Sequence, residues 1–503
     1  MSLEANAAPT PGAPDAEAPV EPPPRTRHPV DEVLPIPRLL IFGLQHLFIM
    51  YAGAVAVPLI VGPAIGLDSR DIAILVSADL LVSGIATVIQ SAGISRVLGV
   101  RLPVVAGATF TVLNPMIIIA TQYGGRSGLP YVYGAMLVSG VFGLLLARPF
   151  SRVIRFFPPL VTGTTICIIG LSLGGADISL IASKTVDGAY VVSPSRMALA
   201  ALVLVAILVI SRAFKGFVGQ IAVLLSIVIG TVVAGFMHLD NFGNVGAVGW
   251  FGPPHIFYFG SPKFAAAPVI TMCIVMVVTF TESTADMLAV GEMTGKDLSP
   301  GDLARGLAAD GLSAFLASFT NSFPDTAFAE NVGLVGLTKV RSRWVVTTCG
   351  VFLLVLGLIP KVGQVIADLP GPVIGGAATV MFAMVTAVGI QTLHKVNFTG
   401  NHNLLIVAAA LAVGLLPAFD SSIYDEFPKD FQVIFGSSIT ATVIVVFVLN
   451  LVFNHWARDG HSAESAEAGA SVVASHSTAV QEAVTGGAVA LDVPGPAPAP
   501  TKE

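Results

Sequence analysis

Two carboxylates four residues apart follow a strongly apolar stretch of the chain. Residues 274–281 carry no charge, and Glu282 and Asp286 come directly after them. On a helix, side chains four residues apart lie on one face, and two neighbouring carboxylates in a medium of low dielectric constant cannot both ionise cheaply. We therefore expect one of them to hold a proton reversibly, coupled to whatever binds beside it. The alternative is that both acids lie at an exposed helix end.

A second stretch, residues 320–339, combines carboxylates with breaks in the apolar pattern. Pro324 and two glycines interrupt it, and it contains Asp325 and Glu330. Non-helical backbone in a bilayer is tolerated only where protein buries it or where it lines a watery cavity, and ionisable groups there are usually functional. We expect an extended segment over residues 323–330 and a half-helix from about Asn331, the arrangement in which transporters bind substrates. The alternative is a surface loop between two helices.

Glu330 and two phenylalanines have the chemistry to hold a flat heterocycle. Glu330 is expected just before the half-helix, where the helix dipole favours a carboxylate anion, and it can accept hydrogen bonds from ring N–H groups. Phe110 and Phe328 offer aromatic faces for stacking. Ordinary packing is the alternative for both rings.

Three further polar residues lie in apolar segments. His46 is expected to be a structural hydrogen-bonding residue rather than a proton relay, with Asn114 as its partner. Asp310 is expected to hydrogen-bond backbone amides of the broken segments.

The composition places these residues in a polytopic membrane protein. The chain has 503 residues, of which 54% are hydrophobic and 11% charged, whereas soluble proteins carry about 25% charged residues. The three cysteines, Cys167, Cys273 and Cys349, are scattered through apolar segments, which favours neither a disulfide framework nor a metal site. We expect no nucleic-acid partner and no cofactor.

Fourteen apolar segments lie between two tails, residues 1–37 and 460–503. The tails are rich in alanine and proline and are expected to be disordered, without a signal peptide. A helix needs about 20 residues to cross the hydrocarbon core, and segments three and ten have the appearance of broken elements. The segments are approximately residues 39–61, 72–92, 104–120, 131–146, 159–173, 197–210, 217–236, 265–286, 302–318, 328–337, 344–358, 373–388, 404–416 and 433–453.

The two halves of the chain carry an internal repeat. Residues 158–163 and 371–376 both open an apolar segment after a proline-containing turn, and residues 102–110 match 323–331 in the same order. The repeat unit is about seven segments, so the halves have inverted topology, as in many secondary transporters with paired broken helices. Lysines and arginines concentrate on the side of the N-terminus, which predicts that both termini are cytoplasmic.

At these residues the chain resembles the nucleobase–ascorbate transporter family. The family signature is Gln, Glu or Pro, then Asn, any residue, Gly, four residues, Thr, and a basic residue or Gly. Residues 330–339 match it fully. Further resemblance lies in Gln45 and His46 and in residues 50–58, 107–110, 157–159 and 282–286, so the similarity extends from about residue 38 to residue 453.

The resemblance implies an all-helical membrane fold of fourteen segments in two inverted seven-segment repeats, with short antiparallel strands in segments three and ten. It implies a core domain of residues 38–147 and 264–360 and a gate domain of residues 148–240 and 370–455. It also implies proton-coupled nucleobase uptake across the plasma or inner membrane by an elevator-type movement, usually as a homodimer.

Functional residues follow from the resemblance by position. Glu282, Glu330, Phe110, Phe328 and Ala329 would bind the substrate, Glu282 and Asp286 would couple protons, and Asn331, His46 and Thr338 would support the site.

Different residues of the site indicate different nucleobase substrates. Residues 282–286 resemble the xanthine and uric acid branch of the family, whereas Glu330 resembles the uracil branch, because purine carriers mostly have Gln there. Asp325 departs from the family pattern, and it is expected to line the outer vestibule or to add a second titrating group. We favour xanthine or uric acid as substrate, with uracil as the alternative.

Three other classes of function fit the sequence less well. An intramembrane enzyme would need a nucleophile–base pair or metal ligands, and His46 has no helix-spaced His or Cys partner. An anion exchanger of related architecture would favour a cationic site rather than one lined by carboxylates. A channel is disfavoured by buried acids beside bulky aromatic residues.

Overall fold

A computed structural model of the protein describes most of the chain between the two tails. Residues 1–27 and 457–503, and with them most of both predicted tails, lie outside the described residues. The described residues are 28–94, 97–153, 157–184, 190–239, 242–399, 402–420 and 422–456.

The structure is built almost entirely from helices. In chain order the α-helices are α1 Ile36–Ala64, α2 Ser69–Ala92, α3 Leu113–Gln122, α4 Leu129–Val153, α5 Pro159–Ser172, α6 Gly174–Ile181, α7 Pro194–Ala213, α8 Phe217–Gln220, α9 Ala222–Phe236, α10 Ala266–Thr294, α11 Pro300–Thr320, α12 Ala329–Thr338, α13 Arg343–Gly357, α14 Pro360–Ala367, α15 Gly371–Leu393, α16 Asn403–Phe419, α17 Lys429–Phe435 and α18 Ser438–Asn450. The strands are β1 Ala106–Ala108, β2 Ser183–Lys184, β3 Tyr190–Val191 and β4 Asp325–Ala327.

Each of the fourteen apolar segments overlaps a helix of this structure. Within the described part of the chain, seven helical stretches are long and apolar enough to cross a bilayer by themselves, and α13 and α14 form one further candidate span that bends by 82°. Shorter apolar helices include α5, α9 and α16. The protein is therefore a multi-pass membrane protein.

Capping residues define where the long helices begin and end. Ser299 and Asp302 form a reciprocal capping box at the start of α11, and Pro300 occupies its first turn, where a missing N–H costs nothing. The α10 helix ends at Thr294 and is followed by Gly295, which adopts a left-handed conformation with φ of 72°. That end lies eight residues beyond Asp286, well past the end of the apolar segment predicted from the sequence.

The two broken segments meet as a short antiparallel strand pair. β1 pairs with β4 in the register Ala106 with Ala327, Gly107 with Thr326 and Ala108 with Asp325. The Thr109 amide donates to the Pro324 carbonyl at 3.0 Å, and the Phe328 amide donates to the Val105 carbonyl at 2.9 Å, which extends the pairing at both ends. Each segment satisfies the other's backbone, so the open helices bury no unpaired strand edge between them.

Each strand leads directly into a short helix. β1 is followed by a 3-10 turn, Phe110–Val112, and then by α3, while β4 is followed by α12. The α12 helix begins at Ala329, so Glu330 lies in its first turn. The prediction that the extended segment continues through Glu330 was wrong by two residues, because Phe328 already accepts the first helical hydrogen bonds from Asn331 and Val332.

The helices pack into two groups. One contains α1 to α4 and α10 to α14, and the other contains α5 to α9, α15, α16 and α18. In the first group α2 packs on α13 and α4 on α11, in both cases through glycine. A Cβ on Gly84 would lie 2.7 Å from the Leu354 nitrogen, and a Cβ on Gly311 would lie 2.7 Å from the Leu144 nitrogen. Small residues let these helix backbones approach closely in a membrane.

The structure describes the chain before α1 from residue 28, inside the predicted tail. Residues 29–31 form a 3-10 turn, and Val30 is fully buried. Asp31 forms an ion pair with Arg343 at 2.7 Å, and the Ser342 hydroxyl donates to the Glu32 carbonyl at 2.5 Å. Contacts with residues more than 300 positions away therefore order a segment whose composition alone predicts disorder.

Candidate functional site

Glu282 lies at the centre of the candidate site, where the strand pair meets α10. Its two carboxylate oxygens each accept a hydrogen bond, from the Thr111 hydroxyl at 2.7 Å and from the Thr109 hydroxyl at 3.2 Å. Thr109 also accepts a hydrogen bond from the Thr111 amide at 3.1 Å, which orients its hydroxyl oxygen. Two hydroxyl donors that converge on one carboxylate fix the orientation of that side chain.

Asp286 follows Glu282 by one helical turn and is 4% exposed. It lies within electrostatic reach of Glu282, Glu330 and Asp310. Both acids of the pair lie in the interior of the 29-residue helix α10 rather than at its end, so the exposed-end alternative is wrong for both. Glu282 and Asp286 thus lie one turn apart on α10, as the sequence predicted.

The N-terminus of α12 brings the third carboxylate to the same region. Glu330 lies in the first turn of that helix, directly after Ala329, and both residues are half-buried. The amide groups of Ala329 and Glu330 precede the first helical hydrogen bonds and have no carbonyl acceptor within α12, and they carry the positive end of the helix dipole. This end therefore offers donors beside an acceptor, as recognition of a polar heterocycle requires.

The two phenylalanines of the prediction differ in their surroundings. Phe328 is only 4% exposed, and its ring fills a slot between Gly53 of α1 and Gly107 of β1, each of which would place an added Cβ 2.6 Å from that ring. Phe110 is half-buried and meets the ring of Phe382 edge-on, with centroids 5.8 Å apart. Phe382 lies on α15, so Phe110 bridges the two groups of helices.

His46 has a different partner from the one predicted. The Asn331 side-chain nitrogen donates to the His46 carbonyl at 2.9 Å and lies 3.1 Å from its ring Nδ1. The predicted partner, Asn114, instead accepts a hydrogen bond from the Ser438 amide at 3.1 Å. The prediction failed because α12 packs on α1 and presents Asn331 to His46, whereas Asn114 faces α18.

Asp310 and Thr338 have hydrogen-bond partners outside the carboxylate cluster. Asp310 accepts a hydrogen bond at 2.8 Å from the side chain of Gln90, which also donates to the Gly306 carbonyl and accepts from the Val100 amide. Asp310 therefore bonds a side chain, and among the described residues the structure shows none of the predicted bonds from Asp310 to backbone amides of the broken segments. Thr338 ends α12, donating to the Leu334 carbonyl at 2.8 Å, about 12 Å along the helix from Glu330.

Asp325 lies behind the strand pair. It is fully buried and accepts hydrogen bonds from Ser83 of α2, at 3.1 Å, and from Ser313 of α11. Asp79, one turn before Ser83, is its acidic neighbour, and one Asp79 oxygen is buried without a hydrogen-bond partner in the described structure. The expectation that Asp325 lines an outer vestibule does not hold for this conformation.

Sequence reasoning missed several residues that shape the site. Thr109 and Thr111 bind Glu282, and Ser283 ties α10 to β4 by accepting from the Ala327 amide at 3.1 Å and contacting the Thr326 hydroxyl at 3.0 Å. A signal for the threonines existed, since hydroxyl side chains alternate directly after a strand, but the sequence does not show which carboxylate they face.

Comparisons with known proteins identify a family. The permease family model Xan_ur_permease matches residues 37–423. The uric acid transporter UacT of Escherichia coli K12 is 40% identical over 426 residues, covering 84% of this chain and 88% of that protein. The xanthine permease of Bacillus subtilis 168 is 40% identical over 417 residues, covering 83% of this chain and 94% of that protein.

More distant similarities concern one further carrier and the fold. The uracil permease of Paenibacillus larvae is 30% identical over 396 residues, covering 77% of this chain and 89% of that protein. The transmembrane domain of the cyanobacterial bicarbonate transporter BicA has a similar structure, with a TM-score of 0.57 at 13% identity, covering 82% of this chain and 97% of that domain. This last likeness concerns the fold alone. The family match and the relatives at about 40% identity show that the chain belongs to the nucleobase–ascorbate transporter family of permeases.

Proposed function

We propose that the protein imports a purine nucleobase, xanthine or uric acid, together with protons. The observation that carries this proposal is the cluster of Glu282, Asp286 and Glu330 around the N-terminus of α12, with two threonine hydroxyls held against Glu282. Carboxylates accept hydrogen bonds from ring N–H groups, and the amides of Ala329 and Glu330 at the start of α12 can donate to ring carbonyl oxygens. A di- or trioxopurine presents both kinds of group along one edge.

Proton coupling follows from the crowding of these acids. Glu282 and Asp286 lie one turn apart in a membrane helix, with Glu330 close to Asp286, and such neighbours cannot all be ionised at low cost. We infer that a proton on this cluster accompanies the neutral or anionic base. Binding of the base to Glu282 would then depend on which of the acids is protonated.

The choice of a purine rests on the relatives. Those at about 40% identity are named for uric acid and xanthine, whereas the uracil carrier is 30% identical. Uracil stays the alternative, because Glu330 stands where purine carriers of the family mostly have Gln. We expect Glu330→Gln to shift preference further toward purines, and an unchanged competition profile would remove Glu330 from substrate selection.

Alternating access would occur by an elevator-type movement of one helix group against the other. The group containing both strands and Glu282 would be the core, and the group containing α5, α7, α15 and α16 would be the gate. The packing of α2 on α13 and of α4 on α11 supports an inverted repeat, because a shift of seven segments exchanges these two pairs. We infer fourteen spans in all, with both termini cytoplasmic.

Assembly and location complete the proposal. We expect a homodimer in the plasma or inner membrane, with the gate groups of the two copies in contact. Cross-linking in native membranes tests the assembly.

Uptake of labelled xanthine tests the function directly. Cells that lack their own purine carriers would express the protein and be measured with and without a protonophore, and with excess uric acid or uracil. Uptake that the protonophore abolishes, and that uric acid but not uracil inhibits, would support a purine–proton symporter. Accumulation of labelled uracil without xanthine uptake would reverse the substrate assignment, and uptake insensitive to the protonophore would contradict proton coupling.

A further inference from the structure

A second pair of carboxylates, Asp79 and Asp325, lies behind the strand pair and apart from the acids of the candidate substrate site. Asp79 lies near the middle of α2, a helix long and apolar enough to cross the bilayer, and Asp325 begins β4. Both residues are fully buried, at 0% exposure, and they lie within electrostatic reach of each other. Ionisable groups at this depth in a membrane are costly and usually functional.

Serine hydroxyls satisfy three of the four carboxylate oxygens of this pair. Ser83 donates to Asp325 Oδ1 at 3.1 Å, Ser313 donates to Asp325 Oδ2, and Ser322 donates to Asp79 Oδ1 at 3.5 Å. The fourth oxygen, Asp79 Oδ2, is buried without a hydrogen-bond partner among the described residues. Asp79 and Ser83 are four residues apart and therefore share one face of α2, the face that Asp325 contacts.

The charge of the pair has no cationic partner in the described part of the chain, where neither acid takes part in an ion pair. The helices packed against α2 and β4 carry other titratable groups, but none of these makes a hydrogen bond to either acid. They are Arg38, His46 and Tyr51 of α1, Cys273, Glu282, Asp286 and Glu292 of α10, Asp302, Arg305 and Asp310 of α11, Arg343 and Cys349 of α13, and Lys361 of α14, with Arg70 and Asp71 on α2 itself. Two buried carboxylates without a cation cannot both ionise cheaply.

We propose that Asp79 and Asp325 hold one proton between them and form a second proton-binding site, separate from the acids of the substrate site. A proton on Asp79 Oδ2 turns the one oxygen without a donor into a hydroxyl group that can donate to Asp325, and it removes one of the two negative charges. A single proton is enough for this. A metal ion would require about six oxygen ligands, whereas the serine hydroxyls here donate to the carboxylates.

A cavity of about 420 Å³ borders residues next to this pair. Arg70, at the start of α2, and Ala78 line the cavity, and Asp79 follows Ala78 directly. The Asn321 side chain donates to the carbonyl of His255, another lining residue, so the segment leading into β4 also borders the cavity. Because the N-terminus is predicted to be cytoplasmic, the start of α2 lies on the outer side of the membrane. We therefore expect the outer solution to supply the proton.

Asp310 connects the pair to the substrate site. It lies on α11 one turn before Ser313, within electrostatic reach of Asp325 on one side and of Asp286 on the other. Like Asp79, it has one buried oxygen without a hydrogen-bond partner in the described structure. We expect a change in the charge of the pair to act on Asp286 through Asp310. This connection rests on the proposed proton symport, whereas the proton site itself does not.

Infrared spectroscopy of the purified full-length protein tests the proton site. The carbonyl stretching band of a protonated carboxylic acid lies apart from the bands of carboxylates and amides, and it shifts in heavy water. Spectra would be compared for the wild type, Asp79→Asn, Asp325→Asn and the double variant. Asp297→Asn is the matched control, because Asp297 is exposed and lies between α10 and α11.

We expect each single substitution to remove the same band, with the intensity of one carboxylic acid. The amide introduced at one position donates to the carboxylate left at the other and so replaces the shared proton. The double variant should therefore lose no more intensity than either single variant, and Asp297→Asn should match the wild type. The two single variants are sufficient to detect the loss if the double variant does not fold.

Four results would overturn the proposal. A band of undiminished intensity in both single variants would show that the pair holds no proton, and loss in only one of them would assign the proton to that acid alone. A double variant that loses twice the intensity of either single variant would show that each acid holds its own proton. Loss of the wild-type band on addition of sodium or potassium ions would show a metal-ion site instead.

The pH dependence of xanthine uptake tests the role of the pair in transport. Proton-coupled uptake should fall as the outer pH rises and the proton sites empty. Asp79→Asn keeps the charge of the protonated pair at every pH, so its uptake should fall less steeply than that of the wild type. An identical pH dependence would exclude the pair from coupling. Absence of any xanthine uptake would instead contradict the proposed function, and the infrared result does not depend on it.

Discussion

The Asn331 side chain joins α12 to α1 by donating to the backbone carbonyl of His46 at 2.9 Å, beside the ring Nδ1 at 3.1 Å. Both residues are almost completely buried, at 1% and 2% exposure. The contact fixes the first turn of the helix that carries Glu330. A signature asparagine thus acts on the position of the neighbouring carboxylate.

Asn331→Ala is expected to destabilise the protein by about 1–3 kcal/mol, because buried groups of His46 lose their partner. Uptake should fall more than the amount of folded protein, since Glu330 loses its fixed position. Asn114→Ala is the comparison, because the Asn114 side chain accepts a hydrogen bond from the Ser438 amide rather than bonding to His46. Thermal unfolding together with uptake per folded molecule would decide, and an Asn331→Ala protein with wild-type values in both would contradict the role assigned to this contact.

Glu282→Gln is expected to abolish accumulation of the nucleobase while the protein still reaches the membrane. The amide keeps the shape of the side chain but provides neither a titratable group nor two acceptor oxygens for Thr109 and Thr111. Glu292→Gln on the same helix is a matched control, because Glu292 is exposed. Uptake would be normalised to surface expression, and normal accumulation by Glu282→Gln would exclude this carboxylate from the mechanism.

Gly107→Ala is expected to displace the Phe328 ring from its slot. An added Cβ would lie 2.6 Å from that ring and 2.7 Å from the Met50 methyl group. Overpacking of this kind costs about 1–3 kcal/mol, which the unfolding temperature would report. Combining Gly107→Ala with Phe328→Leu should recover part of the loss. Gly301→Ala, whose nearest contact is an ordinary 3.6 Å, should leave stability unchanged, and an equal loss there would refute the steric explanation.

Asp325→Asn is expected to leave the unfolding temperature unchanged or to raise it. The substitution removes one of two neighbouring buried carboxylates, Asp325 and Asp79, which repel each other when both are charged. The amide keeps an acceptor for Ser83 or Ser313. Asp325→Leu should lower the unfolding temperature instead, since both serine hydroxyls lose their acceptor. A severe loss on Asp325→Asn would show that the charge itself is required for stability.

Much of the architecture was predictable from local pattern. Each apolar segment predicted a helix because burial in lipid or protein requires runs of apolar residues. The prolines at positions 103 and 324 predicted the two breaks, because proline has no amide hydrogen to donate. The ends of the helices were less predictable from the sequence. The α10 helix continues to Thr294 through residues whose composition is mixed, because the glycine cap at Gly295 rather than hydropathy determines its end.

The partners within the site could not be read from the sequence. Nothing local links Asn331 to His46, 285 positions away, or Asp325 to Ser83, 242 positions away. Asn114 and Asn331 are both asparagines at the start of a broken segment, and only the packing of α12 on α1 determines which of them meets the histidine. The aromatic ring of Phe328 likewise suggested stacking on a substrate. In the structure, however, Gly53 of α1 and Gly107 of β1 form a slot that buries this ring.

The sequence by itself determined that this is a multi-pass membrane protein of the nucleobase–ascorbate transporter family, with intramembrane acids at positions 282, 286 and 330. Those features follow from composition, spacing and a contiguous signature, all of which are local along the chain. The tertiary structure decided which hydroxyls hold Glu282 and that Asp325 is buried against Ser83 of α2 and Ser313 of α11. These outcomes depend on contacts between distant segments, and burial in the folded protein determines which of those contacts form.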